Sequence, residues 1–127
     1  MTKSDYNKSM LLQALENKCA KIFLDYANKF DAADAAEVIK RVSASANIIT
    51  TRANQVINCV LNKTNCRVNE ILIKVILEKI KYIIISELVL FSTYFNFYDL
   101  DLTTFDELKY INFSFEFYLN AYINEFV

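Results

Sequence analysis

Few side chains in this 127-residue chain could carry out covalent or metal chemistry. There is no histidine, which removes Ser-His-Asp and Cys-His nucleophilic catalysis and every His-ligated metal site. There is no glycine, so neither a phosphate-cradling loop nor a dinucleotide fingerprint can form. Asp99 and Asp101, in the tripeptide DLD, have the oxygen chemistry for a divalent cation. A loop carboxylate pair of this kind is more often solvated or capping, and no metal is expected. Glu87 sits inside the apolar run YIIISELVLFSTYF and reads as a paired or snorkelling core carboxylate rather than a general base. Cys19, Cys59 and Cys66 lack metal-ligand spacing and leave an odd thiol. They read as reduced cysteines, small buried hydrophobes in a cytoplasmic protein. The N-terminal stretch has no signal-peptide pattern. No cofactor and no enzymatic activity are expected.

The remaining chemistry is that of binding. The net charge is −1, but it is unevenly spread. Residues 1–82 hold 13 Lys or Arg against 8 Asp or Glu, whereas residues 83–127 hold one Lys against 7 acids. The aromatics follow the acids: 13 of 18 lie between Phe91 and Val127. Rigid rings anchor protein interfaces, and carboxylates at the rim steer a basic partner. The candidate partner-binding set is therefore Tyr94, Tyr98, Asp99, Asp101, Asp106, Glu107, Tyr110, Glu116, Tyr118 and Tyr122. Rings such as Phe105, Phe115 and Phe126 are assigned to the core instead. The basic half offers a rival. Arg41, Arg52 and Lys63 recur at steps of 11, close to three helical turns, with Lys40 and Arg67 nearby. Such a stripe could track phosphates, although Glu37 is placed to pair with Arg41 and the stripe has no stacking ring.

The elements that must position these residues read as helices. Leu11, Leu15, Cys19, Ile22, Tyr26 and Phe30 recur at steps of three and four behind the caps Ser4 or Asp5. Asp34 with Glu37 has capping-box spacing before a second helix over residues 35–61, whose apolar side is Val38, Val42, Ile49, Val56 and Val60. Its small, polar middle, SASAN, marks either a break or a close approach of another helix. NKTN (62–65) reads as a turn, with Asn65 as the next cap. Residues 68–97 read as one long helix with the stripe Val68, Leu72, Val75, Ile76, Ile80 and Ile83. From Tyr82 onward it is apolar nearly all round, which predicts burial. The 17 residues between Lys81 and Asp99 are short for a membrane span and contain Glu87.

The C-terminal stretch INFSFEFYLN fits two periods. Alternation of Ile111, Phe113, Phe115, Phe117 and Leu119 suits a strand, paired in a hairpin with residues 91–98. Thr104 with Glu107 matches a capping box, and Phe105, Leu108, Ile111, Phe115, Tyr118 or Leu119, Tyr122 and Phe126 then share a helical face. Helix is the expectation. With neither glycine nor proline, any turn that needs positive φ must use Asn or Asp.

The fold expected is a single all-α domain over residues 1–127: a bundle of four to five helices around the long hydrophobic third helix. An α+β fold with a C-terminal hairpin is the alternative. The acid-and-tyrosine cluster in YDLDLTTFDELKY and EFYLNAY resembles bacterial toxin-immunity proteins of the colicin or contact-dependent-inhibition type. That resemblance implies a non-enzymatic inhibitor that neutralises a basic toxin domain by occluding its active surface. The basic N-terminal half departs from that type. A second resemblance is to small viral Bcl-2-like bundles with a buried central helix, which would place the chain among membrane-apposed regulators. A nucleic-acid-associated helical regulator is the other alternative. Nucleic-acid and membrane partners rank below a protein partner, and a second copy of the chain is a further candidate.

Overall fold

A computed structural model describes residues 3–30, 34–63, 69–97 and 113–124, with side-chain surroundings for 5–30, 34–62, 70–97 and 119–124. These residues form four helices, α1 (Lys3–Ala27), α2 (Ala35–Lys63), α3 (Asn69–Phe95) and α4 (Phe113–Asn124), with no strand among them. The fold is an all-α bundle. Phe113–Asn124 is helical and so is residue 91–95, so the strand period of INFSFEFYLN is not used. The buried residues Leu119, Tyr122 and Ile123 instead follow helical spacing. The remainder of the proposed C-terminal helix, including its Thr104–Glu107 box, lies outside the described residues, as do Asn65 and Val68.

α1 packs broadly on α2 and on α4, α2 packs on α3, and α3 meets α4 through a smaller contact. Each helix thus has two principal neighbours, and the four close a ring. Lys8 near the start of α1 reaches Asn58 near the end of α2, and Glu37 near the start of α2 meets Tyr94 near the end of α3, so α2 runs antiparallel to both neighbours. Inside the ring lies one apolar core. Leu11, Leu15, Cys19 and Phe23 enter it from α1, Ile49, Ala53 and Ile57 from α2, Ile76, Ile80, Ile84 and Leu88 from α3, and Leu119 and Ile123 from α4. Burying each large aliphatic side chain contributes about 1.5–3 kcal/mol.

The helix ends are resolved by residues the composition allowed. Asp34 Oδ1 accepts hydrogen bonds from the backbone N–H groups of Ala36 (3.0 Å) and Glu37 (3.2 Å) and so caps α2. At the far end of α3, Asn96 takes φ 56°. Its N–H donates to Thr93 O (3.2 Å) and that of Phe97 donates to Ser92 O (2.9 Å). This is a Schellman closure in which asparagine occupies the left-handed position usually given to glycine. Phe97 then stacks on Phe30 (4.3 Å between centroids) and lies edge-on to Tyr26. Tyr26 donates its hydroxyl proton to Ser92 Oγ (3.0 Å), and Ser92 donates in turn to Phe97 O. With Phe23, Phe91 and Phe95 these rings fasten the end of α1 to the end of α3.

Three local expectations change. α2 is unbroken through SASAN, where Ser45 and Ala46 are buried: small side chains let a neighbour approach. The buried side of α2 is Val38, Val42, Ala46, Ile49, Ala53 and Ile57, and Val56 and Val60 sit half-buried beside it. α2 also continues through Asn62 and Lys63, where a turn was expected. Finally, α3 is buried on one side only. Val75, Tyr82, Val89, Leu90 and Tyr94 are exposed, because α3 sits in the wall of the ring and keeps one face towards solvent.

Candidate functional site

The exposed side of α3 and the adjoining edge of α2 form the chain's most distinctive described surface. Residues 71, 75, 78, 82, 86, 89 and 93 follow one another at steps of four and three, which puts them on one helical face. That face is exposed along its length and carries Ile71, Val75, Tyr82 (64% exposed) and Val89. Leu90 (60% exposed) widens it towards α2, which presents Ile48. Glu78, Ser86 and Thr93 punctuate the apolar residues of this face; isolated exposed apolar residues are ordinary, whereas several gathered on one face mark an interaction surface. Its charged flanks are Lys74, Lys79 and Lys81 with Glu70. The row is therefore distinct from the acid-tyrosine cluster.

Between this row and α2 the side chains are tied together. Glu37 does not complete its capping box. Its Oε1 accepts a hydrogen bond from Tyr94 Oη (2.8 Å) and lies 3.7 Å from Arg41 Nε. The Arg41 guanidinium lies 3.6 Å from the centre of the Tyr94 ring, a cation–π contact. Further along, Arg52 Nη1 stands 3.5 Å from Glu87 Oε1. The Glu87 side chain is 9% exposed and that of Arg52 47%, so the arginine bridges a nearly buried carboxylate to water. Past it, Arg52, Gln55, Val56, Cys59, Lys79, Tyr82 and Ile83 line an open groove of about 520 Å³.

These contacts reassign several residues. Tyr94 is exposed, yet its ring and hydroxyl are engaged by α2. Tyr122 is buried beneath Lys8, whose Nζ lies 5.9 Å from the ring centre. Burial, then the charge of Asp5, pushes its phenol pKa up. This takes Tyr122 out of an exposed partner surface. Tyr98, Asp99, Asp101, Asp106, Glu107 and Tyr110 lie outside the described residues, and so do the side chains of Glu116 and Tyr118. Of the basic stripe, Lys40 is exposed, Arg41 and Arg52 are engaged by Glu37 and Glu87, the Lys63 side chain is not among those described, and Arg67 lies outside them. Two arginines already paired make a poor start for a phosphate track. Among the described residues, no group of His, Cys, Asp or Glu could hold a metal ion, and no helix is long and apolar enough to cross a membrane.

The thiols differ in kind. Cys19 is buried in the core and its pKa is pushed up to about 12 by desolvation, whereas Cys59 is exposed at the rim of the groove. The row on α3 was missed in the sequence because apolar residues on the buried side hid its seam. Its spacing of four and three was the available signal. No protein-family model, curated protein or solved structure matches this chain.

Proposed function

We propose that this chain is a small, non-enzymatic protein-binding inhibitor of the toxin-immunity type, which neutralises a basic toxin domain by covering its active surface. The observation that carries the reading is the exposed apolar row of α3, from Ile71 through Tyr82 to Val89. A face of that length suits a macromolecular partner better than a small substrate. The lack of histidine and glycine leaves occlusion as a mode of action that needs no catalytic group. The acids at 98–112 supply the sign of charge that would steer a basic partner. The partner would act in the cytoplasm, with reduced thiols on this chain.

The test is a tagged pulldown from the native cell followed by an activity assay on the recovered protein. A stoichiometric basic protein whose activity the chain inhibits is the expected result. Replacing Tyr82 and Val89 together by Lys, or reversing Asp99, Asp101, Asp106 and Glu107 to Lys, should each abolish inhibition in a folded variant. Unchanged inhibition in both folded variants would overturn the reading. Recovery of nucleic acid alone would favour the helical-regulator alternative, which the engaged Arg41 and Arg52 speak against. The heptad-like steps of the row also suit a second copy of α3; light scattering distinguishes that case, because a constitutive dimer would already cover the row.

A further inference from the structure

The exposed face of α3 matches itself when its direction is reversed. Positions 71, 75, 78, 82, 86, 89 and 93 are spaced 4, 3, 4, 4, 3 and 4 residues apart, so they read alike from either end about Tyr82. All seven are exposed. Their side chains also correspond across that centre. Val75 mirrors Val89, both apolar, and Ile71 mirrors Thr93. Glu78, the one charged residue of the seven, mirrors Ser86. Tyr82, 64% exposed, mirrors itself. α3 packs on α2 and α4 with this face turned outward, so a further helix can lie along it. A parallel pair in register would set Glu78 on Glu78, and like charges across an interface repel. An antiparallel pair about Tyr82 sets that carboxylate opposite a hydroxyl, which can donate to it.

We propose that this face pairs two copies of the chain through an antiparallel, twofold contact of α3 with α3, centred on Tyr82. Such an interface is isologous, one patch serving both copies. Val75 of each copy meets Val89 of the other at two symmetric places. The two Tyr82 rings meet on the axis, where offset stacking suits them. Ser86 of each copy donates to Glu78 of the other. The contact runs along about 33 Å of helix, at 1.5 Å per residue. Each copy brings four apolar side chains of the face to it, Ile71, Val75, Tyr82 and Val89. That is an interface at the small end of specific ones, so the dimer is dissociable. The inference rests on the reading of this face as a protein-binding surface and names its regulation: a second copy occupies the face until a partner displaces it.

The test uses the full chain alone. Sedimentation velocity from micromolar to millimolar concentration should show monomer passing into dimer. Lysines flank the face on both copies, so added salt should preserve or strengthen the dimer. Weakening by salt would mark head-to-tail pairing of the basic and acidic parts of the chain and overturn the proposal. Ser86→Glu sets two carboxylates opposite each other and should weaken the dimer at least about tenfold. Adding Glu78→Lys to that variant should restore it. Circular dichroism confirms the fold of each surface variant. Cysteines report the register, in a chain that also carries Cys59→Ser and Cys66→Ser. Tyr82→Cys should crosslink to its own copy under mild oxidation. Val75→Cys should crosslink only when mixed with Val89→Cys. The two copies of residue 75 would stand about 21 Å apart along the helices, far beyond the reach of a disulfide. A monomer at every concentration, no rescue by the charge swap, or a link between two copies of residue 75 would overturn the proposal. These measurements need no toxin, so the dimer can fail while the inhibitor reading stands, and the dimer can form while no partner is recovered.

Discussion

Glu87 and Arg52 give the bundle a charged link between two helix walls, and a double-mutant cycle measures it. The variants are Arg52→Met, which keeps an apolar stem on the surface, Glu87→Gln, which keeps the shape, and the two combined. At 3.5 Å, two unit charges attract by about 1.2 kcal/mol at the dielectric constant of water and by about 4.7 kcal/mol at an effective value of 20. The arginine side chain is 47% exposed, so screening places the coupling low in that range, at about 1–2 kcal/mol. Arg52→Met alone strands a carboxylate that is only 9% exposed. Fully buried pairs lose about 3–5 kcal/mol in that way, and the wet arginine reduces the expected loss to about 2 kcal/mol. Glu87→Gln should cost about 1 kcal/mol, and the double variant little more than that. Urea unfolding followed by circular dichroism supplies the midpoints and slopes. A coupling below about 0.3 kcal/mol, the size expected of independent sites, would refute the reasoning. Arg52 would then be a free cation, available to the phosphate stripe.

Other substitutions probe the remaining features. Asn96→Ala should destabilise the bundle by about 1 kcal/mol, since alanine pays a steric penalty at φ 56°, while Asn96→Gly should be neutral or stabilising; thermal melts of the pair decide it. Ile80→Ala, at a site with no exposure, should cost about 2–5 kcal/mol, whereas Val75→Ala, 39% exposed, should cost no more than about 0.5 kcal/mol. Thiol labelling of the native chain should modify Cys59 and spare Cys19 until unfolding. Cys19 also sets an alkaline limit. Its pKa rises from 9.0 to about 12 on folding, so between those values the unfolded chain has released a proton that the folded chain still holds. Stability should therefore be full below pH 9 and fall above it by up to about 1.4 kcal/mol per pH unit from this group, and Cys19→Ala should remove that part of the slope.

Much of the fold was legible because the signals were local and redundant. The α1 stripe through Leu11, Leu15, Cys19 and Ile22 is buried as read, and Asp34 caps α2 where a capping residue was expected. The lack of glycine foretold an asparagine in the left-handed region, and Asn96 occupies it. What was not legible depends on which side of a helix faces its neighbours. In α3 nearly every residue after Tyr82 is apolar, so periodicity could not separate the buried Ile84 and Leu88 from the exposed Val89 and Leu90. In α2 the alanines Ala46 and Ala53 line the core better than Val56 and Val60, because close helix approach selects small side chains over hydrophobic ones. Glu37 and Tyr94 are 57 residues apart, and the partners of Tyr94 came from a contact that no local pattern encodes.

The ring order of the helices has a bearing on how the chain reaches this state. Among the described residues, the α1–α2 and α2–α3 walls join neighbouring helices, whereas the α1–α4 wall brings together the two ends of the described chain. Hairpins between neighbouring helices close short loops, whereas the α1–α4 wall must close a long one, at an entropic cost that grows only slowly with loop length. The first three helices can zip up by successive hairpins, and α4 can then dock as the closing strut. The chain also has no proline, so refolding escapes the slow phases of tens to hundreds of seconds that prolyl isomerisation imposes.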